Sequence, residues 1–157
     1  MKLLLLLVGR TANPHIQALI DDYATRLKHY TPFDIAVIPE LRNTKSLTPD
    51  QQKQAEGQLI LKQLQPADYL VLLDEHGKTL RSIEFAQWIQ RKQNTLTRRL
   101  VFLIGGPYGF SPQVYAHADE QLSLSPMTFS HQMIRLIFTE QLYRAFTILN
   151  NEPYHHE

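Results

Sequence analysis

Residues 100–110 read LVFLIGGPYGF, five apolar residues that stop on a Gly-Gly-Pro-Tyr-Gly turn. A strand with one wet face alternates apolar and polar residues, whereas an unbroken apolar run belongs to a strand covered on both faces. Leu3–Val8 and Leu70–Leu73 have the same character. The pattern predicts strands at Lys2–Val8, Phe33–Pro39, Tyr69–Asp74, Leu100–Ile104 and Gln121–Ser125. Helical spacing fills the gaps, over 14–29, 48–64, 82–94, 111–118 and 131–149. Pro14 and Pro112 suit first helical turns, where a missing N–H does no harm, and Thr48 and Ser111 suit N-caps. Strands separated by helices predict an α/β domain with a parallel sheet. Residues 40–50 are the most loop-like stretch, and no internal repeat or linker interrupts the chain.

The bulk numbers narrow the function. At 157 residues and 43% hydrophobic, the sequence describes one domain, 1–157, able to bury its own core. It has no cysteine, which removes disulfides, thiolate metal ligands and cysteine nucleophiles and is compatible with a cytoplasmic location. The opening MKLLLLLVGR is too short in its apolar part for a signal peptide and reads as a buried first strand. No stretch approaches the ~20 apolar residues of a membrane span. Net charge is only +1, although residues 86–118 carry Arg91, Lys92, Arg98 and Arg99 and no acid. That cluster reads either as a solvated helix end or as a phosphate-facing patch.

In open α/β sheets, ligands bind beyond the carboxyl ends of the strands. Three such ends carry suitable loops: Leu73-Asp74-Glu75-His76-Gly77-Lys78, Gly105-Gly106-Pro107-Tyr108-Gly109 and Ser125-Pro126-Met127-Thr128-Phe129. Adjacent glycines let a ligand approach the backbone, and a branched residue at Gly106 is expected to intrude on the ligand's space. The pattern is neither the dinucleotide fingerprint nor a P-loop. The Ser-Pro-Met-Thr-Phe turn offers peptide groups beside apolar walls, which suits a flat base such as adenine. Asp74 and Glu75 either hydrogen-bond a ligand hydroxyl or cap the next turn. His131 and Arg135 share one helix face, and Arg144 lies further along the polar side. No paired-histidine spacing marks a metal site. In the last helix, Ile134, Phe138, Leu142, Ala145 and Leu149 form a stripe, and Met133, Leu136, Ile137 and Phe146 add apolar surface outside it. Such a helix either lies inside a larger core or packs on a second subunit, and a homodimer contact is the favoured expectation.

Four stretches carry a resemblance: LLDEHGK (72–78), FLIGGPYGFS (102–111), LSLSPMTFSHQMIR (122–135) and EQLYRAFTILNNEPYHHE (140–157). Together they resemble the RlmH (YbeA-like) family of 23S rRNA pseudouridine N3-methyltransferases, in the SPOUT superfamily. The likeness spans the whole chain. Ser130 stands where the family usually has proline, and His156 where it often has another basic residue. The resemblance implies a deep C-terminal trefoil knot, over about 100–157, and a homodimer. It implies S-adenosylmethionine as cofactor, with no metal, held by Leu73, Gly105, Gly106 and the segment Leu124, Ser125, Pro126, Met127, Thr128 and Phe129. It implies a ribosomal substrate, a pseudouridine of 23S rRNA, faced by His131, Arg135, Arg144, Tyr154 and His155. His131 and His155 are rival proton acceptors, either arginine suits the developing anion, and Tyr154 suits stacking. Two other readings stand beside this one: a SPOUT enzyme with another RNA target such as tRNA, and a non-catalytic ribosome-binding factor.

Overall fold

A computed structural model describes residues 1–157. The chain alternates strands β1 (Lys2–Val8), β2 (Phe33–Ile38), β3 (Tyr69–Thr79), β4 (Arg99–Ile104) and β5 (Glu120–Ser123) with helices α1 (Pro14–Leu27), α2 (Pro49–Gln63), α3 (Ser82–Thr95), α4 (Pro112–His117) and α5 (Met133–Leu149). All strand pairs are parallel, in the order β2-β1-β4-β3-β5. The expected α/β parallel sheet is therefore present.

The side chains of β1 show why its apolar run is unbroken. Leu3, Leu5 and Leu7 enter a core with Leu27 of α1, Trp88 and Ile89 of α3, and Phe138 and Leu142 of α5. Leu4, Leu6 and Val8 enter a second core with Ile60 of α2 and Val114 of α4. Each leucine buried this way contributes about 1.5–3 kcal/mol. Local signals set the helix starts. Thr48 and Gln51 form a capping box on α2, and the Ser111 hydroxyl accepts from Val114 N at 3.3 Å on α4.

The structure extends one expected strand and bears on two other expectations. Strand β3 runs past Asp74 to Thr79, with an irregular step between Leu73 and Lys78 where it pairs with β5. Gly77 permits this: a Cβ there would sit 2.7 Å from the backbone of Gln121 and Leu122. Helix α5 packs between α1 and α3, so the chain itself covers much of the apolar surface that suggested a dimer contact. The basic run is partly neutralised. Arg99 forms a two-point bond to Asp68, at 2.9 and 2.6 Å, and Lys92 pairs with Glu120 at 2.7 Å.

Arg135 of α5 is wholly buried. Its guanidinium donates to Val8 O and Gly9 O, each at 2.8 Å, to Thr11 Oγ1 at 3.1 Å and to His131 O at 3.0 Å. Gln132 adds a second tie, accepting from Ala12 N at 2.8 Å. The end of β1 is thus fastened to the start of α5 across more than 120 residues of sequence. Burial holds the guanidinium below its usual pKa, partly offset by Glu40. Arg135→Leu is expected to destabilise the protein by about 3 kcal/mol, because two buried carbonyls lose their donors. Urea unfolding measures this, and Arg135→Lys is expected to recover only part of the loss.

Candidate functional site

A cavity of about 410 Å³ opens at the carboxyl ends of β4 and β5, beside the irregular step of β3. Its walls come from all three loops singled out in the sequence: Leu73–Glu75, Ile104–Gly106 with Gly109 and Phe110, and Leu122–Ser125 with Met127–Phe129. Ser130, His131 and Ile134 close the side next to α5. The volume falls within the range of small-ligand pockets.

The third loop is held by its own serines. The Ser123 hydroxyl donates to Ser125 O at 3.0 Å, and Ser125 Oγ accepts from Met127 N at 3.0 Å. The peptide groups of this turn are therefore set by local bonds before any ligand arrives. Ser130, in the place of the expected proline, accepts from Met133 N at 3.1 Å through its hydroxyl and so caps the start of α5. At the opposite wall, Tyr115 donates its hydroxyl to Asp74. Burial, and then this carboxylate, push the Tyr115 phenol up to about 12. Asp74 thus anchors the irregular step of β3. Glu75 is exposed and accepts from Thr128 Oγ1 at 3.4 Å across the cavity.

The two central glycines serve a purpose that the sequence reading did not foresee. A Cβ on Gly105 would lie 2.7 Å from the Phe110 ring, and one on Gly106 would lie 2.9 Å from Glu56 Oε1. Both directions are already occupied by the protein's own side chains. The expectation that a Cβ at Gly106 enters ligand space is corrected accordingly: crowding there acts first on Glu56.

Leu73, Gly105, Gly106, Leu124, Ser125, Met127, Thr128, Phe129 and His131 all line the cavity. Pro126, Arg135, Arg144, Tyr154 and His155 are not among its lining residues. Arg135 is corrected from a substrate-facing group to a buried clamp, its donors already spent on the β1 end. Arg144, Tyr154 and His155 form a second cluster. Arg144 bonds Glu140 at 2.7 and 3.1 Å, Tyr154 donates to the same carboxylate at 2.9 Å, and the Arg144 guanidinium lies 4.8 Å from the centre of the Tyr154 ring. Burial, Tyr23 and Glu140 together hold the Tyr154 phenol above its usual pKa.

His155 sits 3.1 Å from Arg144 through Nδ1. A guanidinium only donates, so Nδ1 must accept and the ring proton lies on Nε2. Its one lone pair is therefore engaged. The tail does not fray. Tyr30 donates to Glu152, and Arg81 pairs with Glu157 at 2.7 Å. No group of three His, Asp or Glu side chains is close enough to hold a metal ion, and no helix is long and apolar enough to cross a membrane.

A family model described as predicted SPOUT methyltransferase matches residues 1–155. The chain belongs to the SPOUT methyltransferase family. Curated relatives share its full length. A protein of Phocaeicola vulgatus named ribosomal RNA large subunit methyltransferase H is 65% identical over 157 residues, covering all of both chains. Proteins of the same name from Bacteroides fragilis and Flavobacterium johnsoniae are 63% and 54% identical, again over all of both chains. Among solved structures, a probable methyltransferase from Bordetella pertussis Tohama I superposes with a TM-score of 0.57 at 12% identity, covering 92% of this chain and 94% of the other. At that identity the likeness speaks for the fold alone. The cavity of this SPOUT chain lies where the fold leaves room beyond its strand ends.

Phe110, Ile134 and Glu56 were missed in the sequence as site residues. The first two belong to apolar patterns that look like ordinary core. Glu56 lies in a polar helix with no motif around it. Gly105→Ala is expected to cost about 1–3 kcal/mol by overpacking against Phe110. In a double-mutant cycle with Phe110→Leu, the two losses are expected to be less than additive, read by thermal or urea unfolding.

Proposed function

We propose that this chain methylates N3 of a pseudouridine in the large-subunit (23S) rRNA of the assembled ribosome, using S-adenosylmethionine. The observation that carries the reading is the group of relatives, 54–65% identical over the full chain, named ribosomal RNA large subunit methyltransferase H. The cavity fits the cofactor in its chemistry. Leu73, Leu122, Leu124 and Phe129 supply apolar walls for a flat base, and the glycine and serine turns supply peptide donors and acceptors for its edge. Glu75 suits a ribose hydroxyl. Bound there, the cofactor supplies a methyl group already activated by a positive sulfur. The protein's task is then alignment and charge management.

The acceptor nitrogen lies between two carbonyls and must lose a proton. His131 is exposed at the rim of the cavity, whereas the lone pair of His155 is engaged by Arg144. His131 is therefore assigned as the proton acceptor. Arg144 is assigned to the anion that forms on the base, with Tyr154 and His155 orienting it.

These assignments require two subunits. Arg144 lies ten residues along α5 from the cavity residue Ile134, about 15 Å at 1.5 Å per residue. The tail cluster of one chain is thus remote from its own cavity, and a homodimer in which the partner's tail completes the site resolves the distance. A knotted region over about residues 100–157 belongs to the same reading. It is supported by the chain path. After β4 the chain passes beyond β3 to form β5, then returns to lay α5 between α1 and α3. A ribosomal substrate places the enzyme in the cytoplasm.

Transfer of tritiated methyl groups to ribosomes, free rRNA and tRNA tests the reading. Label is expected in the large-subunit rRNA of intact ribosomes, and label confined to tRNA would overturn it. Arg144→Ala is expected to change cofactor affinity less than about twofold while lowering the transfer rate on the order of 10²-fold. Calorimetry and single-turnover assays separate the two effects, and full activity would remove Arg144 from the site.

A further inference from the structure

Taken as whole residues, two charged groups of this chain are buried, Arg135 and Glu56; the Asp68 side chain is also enclosed but is paired with Arg99. Arg135 has all its bonds to carbonyl and hydroxyl oxygens, as described above. Glu56 is different. Its Oε2 accepts one bond, from the neutral amide of Gln52 at 3.2 Å, and it forms no ion pair. Its neighbour Gly57 packs closely on Ser111 and Val114, which presses α2 against α4. That contact holds the Glu56 carboxyl against Gly106, which also lines the cavity.

A buried carboxylate without a cation is costly, and its field falls off slowly in a low-dielectric surround. Burial and the nearby Glu40 raise the Glu56 pKa, with Gln52 partly offsetting them. The carboxylates that do line the cavity stand on its β3 side. Asp74 is engaged by Tyr115, and Glu75 by Thr128. On the β4 side, no cationic side chain pairs with Glu56.

We propose that Glu56 is a charge-selectivity residue, which acts through the Gly106 wall to favour a cationic sulfonium donor over its neutral thioether product. This rests on the cofactor assignment made above. When the methyl carbon leaves, the bonding pair stays on sulfur and the positive charge is gone. Glu56 then loses its attraction to the spent ligand, and release is favoured. Glu56 is a positioning residue here, because it stands behind the wall and does not line the cavity.

The test is calorimetry of the wild type and Glu56→Gln at neutral pH, with S-adenosylmethionine and S-adenosylhomocysteine as separate titrants. The variant is expected to bind the sulfonium ligand on the order of tenfold more weakly and the thioether within about twofold of wild type. Equal weakening of both ligands, or no change in either, overturns the inference while leaving the cofactor site intact. A wild-type protein that binds neither ligand overturns the cofactor assignment and the inference together. Folding is checked separately. A carboxyl whose pKa is raised by folding stabilises the protein at acid pH and costs stability once ionised, so Glu56→Gln is expected to melt no lower than wild type at pH 7. Gly106→Ala supplies a second variant. It crowds the carboxylate without removing it, and the same fall in the sulfonium-to-thioether preference is expected.

Discussion

The guanidinium of Arg135 joins parts of the chain that local forces cannot bring together. It reaches from the first turn of α5 to the carbonyls that end β1. Those carbonyls have run out of strand partners and lie where water is excluded, so they need a donor with reach and several N–H groups. Arginine meets that need without a carboxylate. Because the bond set includes His131 O, the same clamp fixes the backbone from which His131 projects at the cavity rim. The stability of the domain and the geometry of its site therefore depend on one side chain.

Around that clamp the site divides into two. One part is a cavity built from strand-end loops, with little side-chain chemistry and much oriented backbone. The other is a polar cluster near the end of α5, where Glu140 receives both Arg144 and Tyr154. Backbone turns suit the first task, holding a ligand whose chemistry is already activated. A network of charged and aromatic groups suits the second, recognising a nucleic-acid base. Separating them along α5 makes a single chain incomplete as a catalyst under the proposed function, which is why that function calls for a dimer.

The glycine turn shows how a motif can carry a packing role beside the one its sequence suggests. Gly105 and Gly106 do lie on the cavity, yet the space their missing side chains leave is filled by Phe110 and Glu56. The glycines let an aromatic ring and a carboxylate come up behind the wall. The wall thereby acquires a packed aromatic ring behind Gly105 and a carboxyl group behind Gly106.

The parallel α/β class, most element boundaries to within a few residues and the three segments that line the cavity were legible in the amino-acid sequence. These follow from short-range rules: unbroken apolar runs for doubly covered strands, proline and hydroxyl residues at helix starts, and glycine where the backbone must be approached. The extension of β3 to Thr79 was hidden, because it depends on the nearness of the β5 backbone to Gly77. The roles of the charged residues were hidden too. Arg135 and Arg144 look alike in a helical pattern, but one is enclosed by the end of β1 and the other faces the tail. Glu56 lies about 50 residues before the turn it supports. Sequence alone determined which segments become strands, helices and loops, since those choices are made within a few residues. Tertiary structure alone decided which charges are buried, paired or free, since burial and partnership arise only when distant segments meet.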